Sequence, residues 1–209
     1  MDPEKRTIDK ASGEMIRQMA ENDMENAWDR LEQQQPQCGF GSLGLCCRNC
    51  SMVPCRIDPF EEGPEKGICG ATADTISARN LLRMVAAGAA AHSDHGRDIA
   101  FTLKAASEGK GCDYSVKDRE KLKQVAARYN IETDNLPAEK IAASLASAAI
   151  EEFGRAEGPL RTMEAYAPQS RKKIWNGKGV TPRSIDREIV EIMHRTHIGV
   201  DSDFKNLMK

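Results

Sequence analysis

Six of the seven cysteines in this chain of 209 residues fall between Cys38 and Cys69, and only Cys112 stands outside. They run Cys38-x7-Cys46-Cys47-x2-Cys50-x4-Cys55-x13-Cys69. A C-x2-C step such as Cys47 to Cys50 lets two thiolates turn to one metal centre from a single loop. The flanking Gly39, Gly41, Gly44, Gly67 and Gly70 let the backbone approach a bulky inorganic core and aim N–H groups at its sulfurs. Neighbouring side chains point apart, so Cys46 and Cys47 seldom ligate the same small centre. If they serve different centres, Cys47, Cys50, Cys55 and Cys69 form one set of four, and Cys38 and Cys46 form half of another. A half-set is best completed by a two-fold mate across an isologous interface. The spacing thus predicts one cluster per chain and one shared across a homodimer axis. Structural zinc also takes four thiolates, usually as two short knuckles, and only one is clear here. Irregular spacing, dense glycine and no histidine within the run favour [4Fe–4S] over zinc. Zinc stays open as the alternative at this point.

Other candidate chemistry is weaker. Residues 39–44 match G-x-G-x-x-G, but Gln-Gln-Gln-Pro-Gln before them is no strand and cysteines stand where a helix would begin, so a dinucleotide loop is rejected. His92 with His95, and His194 with His197, are pairs at i, i+3 that share a helix face. Proton transfer is the functional reading of His92 and His95, against capping and surface charge. A surface or packing role is the reading of His194 and His197. Cys112 reads as a small buried or half-buried thiol.

The balance of the chain restricts its class. Thirty Lys and Arg against 32 Asp and Glu give a net charge of −2, which argues against binding nucleic acid by bulk charge. The N-terminus has no apolar segment behind its charges, and no run approaches a membrane span. A cytoplasmic protein is therefore expected. Its thiols stay reduced, which points the cysteines to metal rather than to a disulfide framework.

The elements that must position these thiols are helical. Aromatic residues are only 5% of the chain, and no period-two strand pattern of useful length appears. The fold class expected is mainly α: one helical domain over 1–209 with an irregular Cys/Gly-rich cluster loop at 36–70. Apolar spacing predicts a first helix to about Gln33, broken near Ser12-Gly13, which Pro36 stops. A helix follows from about Ala71 to near Gly88, and a separate one from Ser93 or Asp94 to about Ala106. After a break at 109–111, helices are expected at 116–129 and from Pro137 to Gly154. A linker-like passage is expected at 158–168, a short helical piece ends at Gly177, and a last helix covers 184–196.

The run PQCGFGSLGLCCRNCSMVPCRIDPFEEGPEKGICGAT resembles the N-terminal helical domain of the nickel-containing, anaerobic carbon monoxide dehydrogenases. The likeness continues through AAGAAAHSDHGRDIAFTLKAASEGK and IDREIVEIMHRT, and so covers nearly the whole chain. The resemblance implies a homodimer. Cys38 and Cys46 would hold half of a [4Fe–4S] cluster bridging two subunits. Cys47, Cys50, Cys55 and Cys69 would hold the [4Fe–4S] cluster that relays electrons between a buried nickel site and that bridge. It also implies proton transfer by His92 and His95, though the row continues here as Asp98 and Phe101 rather than as histidines. The reaction implied is CO + H2O ⇌ CO2 + 2 H+ + 2 e−, with a ferredoxin-like acceptor and, in some cases, an acetyl-CoA synthase as partners. Family members carry the nickel–iron–sulfur cluster on later α/β domains, and this sequence stops at Lys209 before them. The chain is thus expected to hold the electron wire without the CO-binding centre, and to be inactive alone. The competing readings are a stand-alone iron–sulfur electron-transfer or cluster-assembly module, a relative of the hybrid-cluster reductases, whose cysteine spacing fits poorly, and a zinc-stabilised binding module.

Overall fold

The structure is a computed structural model and describes residues 5–60, 62–110 and 113–209. Cys112 and Gly111 of the expected break lie outside the described residues. The chain divides into two compact units, Met1–Leu43 and Gly44–Lys209.

The first unit holds α1 (Lys10–Glu21), α2 (Ala27–Gln33) and the single turn α3 (Gly39–Ser42). Asp9 caps α1 by accepting from the Ser12 N–H at 2.7 Å. The break expected at Ser12-Gly13 is not there: Gly13 is a buried residue inside α1. The chain breaks instead between α1 and α2, where Asp23 adopts φ 52°. Asn26 and Asp29 then start α2 with a reciprocal capping box. One mid-helix glycine costs about 1 kcal/mol against alanine, whereas a cap satisfies orphan N–H groups and fixes where a helix begins.

The second unit opens with a two-residue antiparallel ribbon, β1 (Cys46–Cys47) against β2 (Cys55–Arg56). It continues in α4 (Ala73–Glu108), a helix of 36 residues and about 54 Å. Here the structure overturns the expected pair of helices. Gly88 lies within a run of five alanines from Ala86 to Ala91, whose helix propensity offsets its cost. Ser93 donates its hydroxyl to the Ala90 carbonyl at 3.0 Å instead of capping a new start. The helix ends where glycine is needed, at Gly109 with φ 63°.

Beyond it come α5 (Arg119–Arg128), α6 (Ala138–Gly154), α7 (Arg161–Tyr166), α8 (Gln169–Lys178), α9 (Ile185–Arg195) and α10 (Phe204–Leu207). The supposed linker at 158–168 contains α7, and α8 runs through Gly177 to a left-handed cap at Gly179. Both are short helices whose apolar spacing is too sparse to stand out in sequence. The apolar core gathers Leu122 and Ala126 of α5 with Ile141, Ala142 and Leu145 of α6, and Leu103 of α4 packs against it. Small alanines at 126, 142 and 146, each fully buried, let the helices approach closely. The chain is mainly α, and its 46–69 stretch is a cysteine-rich loop that hangs from the N-terminal end of α4.

Candidate metal centre

The pleat of the β1–β2 ribbon sorts the adjacent cysteines. Cys47 pairs with Cys55 and Cys46 with Arg56, so Cys47 and Cys55 share one face and Cys46 turns to the other. Cys47 is buried and Cys46 half-buried. Two side-chain amide bonds hold the ribbon on α4: Asn80 donates to the Gly44 carbonyl at 2.9 Å and to the Cys46 carbonyl at 3.2 Å.

On the Cys47 face lies a cavity of about 330 Å³, lined by Cys47, Cys50, Cys55 and Cys69 together with Ala71, Ile76 and Arg79. Four thiols from 23 residues of chain thus meet around one apolar-walled space. Cys46, Cys47, Cys50, Cys55 and Cys69 form no disulfide. Beneath the thiols sits a small apolar cluster of Cys47, Ile57, Ala71 and Ile76.

The backbone around the cavity is shaped for sulfur. The Ile68 N–H donates to Cys55 Sγ at 3.5 Å. Gly67 packs so close that a Cβ there would stand 3.3 Å from Cys55 Cβ and 3.5 Å from its Sγ. The Gly67 N–H bonds the Ala71 carbonyl at 2.8 Å, and Gly70 takes φ 82°, a region that favours glycine. This turn feeds directly into Thr72, which caps α4 by accepting from the Thr75 N–H. The positive end of a long helix dipole therefore lies beside the Cys69 segment.

A buried cation adds to that field. Arg79 is 2% exposed, donates from Nη1 to Cys69 Sγ at 3.7 Å and from Nη2 to the Asp201 carbonyl at 2.7 Å. The Cys69 thiol titrates below its ordinary 9.0: burial pushes it up, but bonding to Ala71 and then the Arg79 hydrogen bond and charge outweigh that. Thiolate character is what a cluster ligand needs. Donor type, N–H groups on sulfur, a glycine that could carry no side chain, and local positive charge all fit an iron–sulfur group of net negative charge. Among the described residues no three Cys, His, Asp or Glu side chains converge as ligands of one small ion; the four thiols stand around a cavity.

The remaining predicted residues lie elsewhere. Cys38 is exposed and belongs to the first unit, just ahead of α3. His92 and His95 are exposed on α4, about 20 Å along the axis from Arg79 to His92. His95 lines an open groove between α4 and α9 beside Asp94 and Arg97. Arg97 there pairs with Asp186 at 2.9 Å and lies over the Phe153 ring at 4.7 Å. His194 and His197 are exposed. Sequence reasoning missed Arg79. Its only signal was a charged residue one helical turn beyond Thr75 and Ile76, on what proves the buried stripe of α4.

A helical protein with a four-thiol cavity at the head of its longest helix is the class this geometry defines. The family model of the Prismane/CO dehydrogenase family matches residues 45–209. This chain belongs to that family. It is 58% identical over 203 residues to carbon monoxide dehydrogenase 1 of Methanosarcina acetivorans, covering 97% of this chain and 32% of the relative. A nickel-free structure of carbon monoxide dehydrogenase from Thermococcus sp. AM4 superposes with TM-score 0.89 at 52% identity, over 100% of this chain and 33% of that one. A structure of acetyl-CoA synthase/carbon monoxide dehydrogenase, described with NiZn[Fe4S4] and NiNi[Fe4S4] clusters in its alpha subunits, gives TM-score 0.87 at 39% identity, over 99% and 31%. The chain spans about a third of the length of the relatives it matches. No helix among the described residues is long and apolar enough to cross a membrane.

Proposed function

We propose that this chain is the electron-relay and dimerisation part of a nickel–iron–sulfur carbon monoxide dehydrogenase, acting in CO + H2O ⇌ CO2 + 2 H+ + 2 e−. The observation that carries this reading is the convergence of Cys47, Cys50, Cys55 and Cys69 on one cavity, in a chain of this family. Those four residues hold a [4Fe–4S] cluster within the chain. Such a cluster, when bound, supplies reversible one-electron storage and transfer. Cys46, facing away from the cavity, and Cys38 hold half of a second [4Fe–4S] cluster shared with a second copy in a homodimer. The N–H of Ile68 and the guanidinium of Arg79 steady the ligand sulfurs. His92 and His95, exposed on α4, move protons.

The nickel–iron–sulfur cluster belongs to the parts of the relatives that this chain does not match, so the chain alone is proposed to be inactive toward CO. Electrons leave to a ferredoxin-like acceptor in the cytoplasm, and an acetyl-CoA synthase is a further partner on this reading. Anaerobic iron and sulfide analysis with size-exclusion mass tests it. The expected result is a dimer with three [4Fe–4S] clusters per two chains, one in each and one shared. Cys38→Ser removes the shared cluster and leaves the other. Loss of both on that substitution, or a zinc–thiolate protein without visible absorbance, overturns the reading.

A further inference from the structure

The least expected group at the thiol cavity is a buried cation. Arg79 is 2% exposed and lines the cavity with Cys47, Cys50, Cys55 and Cys69. Among the described residues its partners are a thiol and a carbonyl, not a carboxylate. Its Nε is buried without a partner. Burying a guanidinium without a counter-ion is costly, so in the folded protein something anionic must offset it. The neighbouring donors and the site itself supply that anion only when the thiols are ionised around an iron–sulfur core. Arg79 is also held rigidly. Its Nη2 is fixed on the Asp201 carbonyl, and one turn earlier Thr75 donates to the Ser202 carbonyl at 2.6 Å. Arg195 secures the same segment by pairing with Asp201 at 3.1 Å. The guanidinium therefore cannot swing away from Cys69.

We infer that Arg79 is a positioning residue that sets the reduction potential of the four-cysteine site, through its bond to Cys69 Sγ and its unscreened charge. The inference rests on the reading that Cys47, Cys50, Cys55 and Cys69 hold a [4Fe–4S] cluster. One electron taken up there adds one negative charge, which a fixed neighbouring cation stabilises. In the test that electron comes from dithionite, which is oxidised to sulfite. Hydrogen bonds and charge near the sulfurs are among the established levers on such potentials. Arg79 thus raises the potential, making the site easier to reduce than the same four thiolates would be alone.

The test is an EPR-monitored dithionite titration of the full chain in a Cys38→Ser background, so that one kind of cluster is read. Arg79→Met is expected to disfavour reduction about tenfold, equivalent to about 59 mV for one electron. Arg79→Lys, which keeps the charge, is expected to recover more than half of that shift. An Arg79→Met chain with full iron and an unchanged potential overturns the inference. Where Arg79→Met fails to fold, pulsed EPR of the unmutated chain with heavy-nitrogen arginine decides. A nitrogen coupling to the reduced cluster that vanishes in Arg79→Lys supports the inference, and its absence overturns it. An unmutated chain that takes up no iron or sulfide overturns the underlying reading as well as this one.

Discussion

The second unit of the molecule contains two kinds of interior. Around α5 and α6, Leu122, Ala126, Ile141, Ala142 and Leu145 pack against each other and against Leu103, and hydrophobic burial alone accounts for their arrangement. Around β1 and β2 the apolar cluster is only Cys47, Ile57, Ala71 and Ile76, in a stretch with two-residue strands and many glycines. One interior is filled with methyl groups. The other is a cavity walled by thiols and one guanidinium. The first region can be stable by itself, whereas the second is organised around something it binds. The comparison teaches that a single chain divides its stability between solvent exclusion and ligation.

Removing iron breaks the symmetry of that comparison most sharply. Cys47→Ser, or anaerobic chelation, is expected to abolish inner-cluster iron and collapse amide-exchange protection over residues 45–72, while α4 to α6 keep theirs. Equal loss in both regions would show that the helices also depend on the cluster. The converse change is Ile141→Ala. Its side chain is 1% exposed, and its loss should cost about 2–5 kcal/mol in a denaturant melt without lowering the iron per folded chain.

Gly67→Ala is a finer probe. Its Cβ would press on Cys55 at 3.3 Å, so iron occupancy should fall severalfold while the helical circular-dichroism signal stays within a tenth. The smallest effect is one of pH. Glu188 accepts two bonds from Arg183, at 2.7 and 3.2 Å. Burial pushes its carboxyl up, but Arg183 outweighs that and holds it below the ordinary 4.5. A carboxylate depressed in the folded state stabilises above 4.5, and that stability is lost as pH falls through the depressed value. The pair is more than a third exposed, so the contribution is slight. Arg183→Met should flatten the acid limb of a thermal melt between pH 5 and 3, with no change at pH 7.

Legibility differed between the same two regions. Caps, prolines and apolar spacing gave α6 and α9 nearly to the residue, because their signals are local. They failed at Gly88, where propensity summed over neighbouring alanines and contacts from α6 and α9 carry α4 past a single weak residue. They failed again at Gly13, where the true break needed the Asn26–Asp29 cap to be recognised. The cysteines were legible because ligation demands a residue type that little else explains at that density. Arg79 was not, since a buried charge and an exposed one look alike in a helix sequence.

By itself the sequence determined that the protein is helical, that its thiols are ligands, and that Cys46 and Cys47 must part company. Covalent geometry and residue chemistry suffice for those statements. Only the tertiary structure decided that Cys47, Cys50, Cys55 and Cys69 share one cavity, and that the ribbon pleat turns Cys46 away from it. It alone put a guanidinium from the next helix against Cys69, clamped by a carbonyl 122 residues further along. Those facts depend on which distant segments are pressed together when apolar surface leaves water, and no local pattern records that.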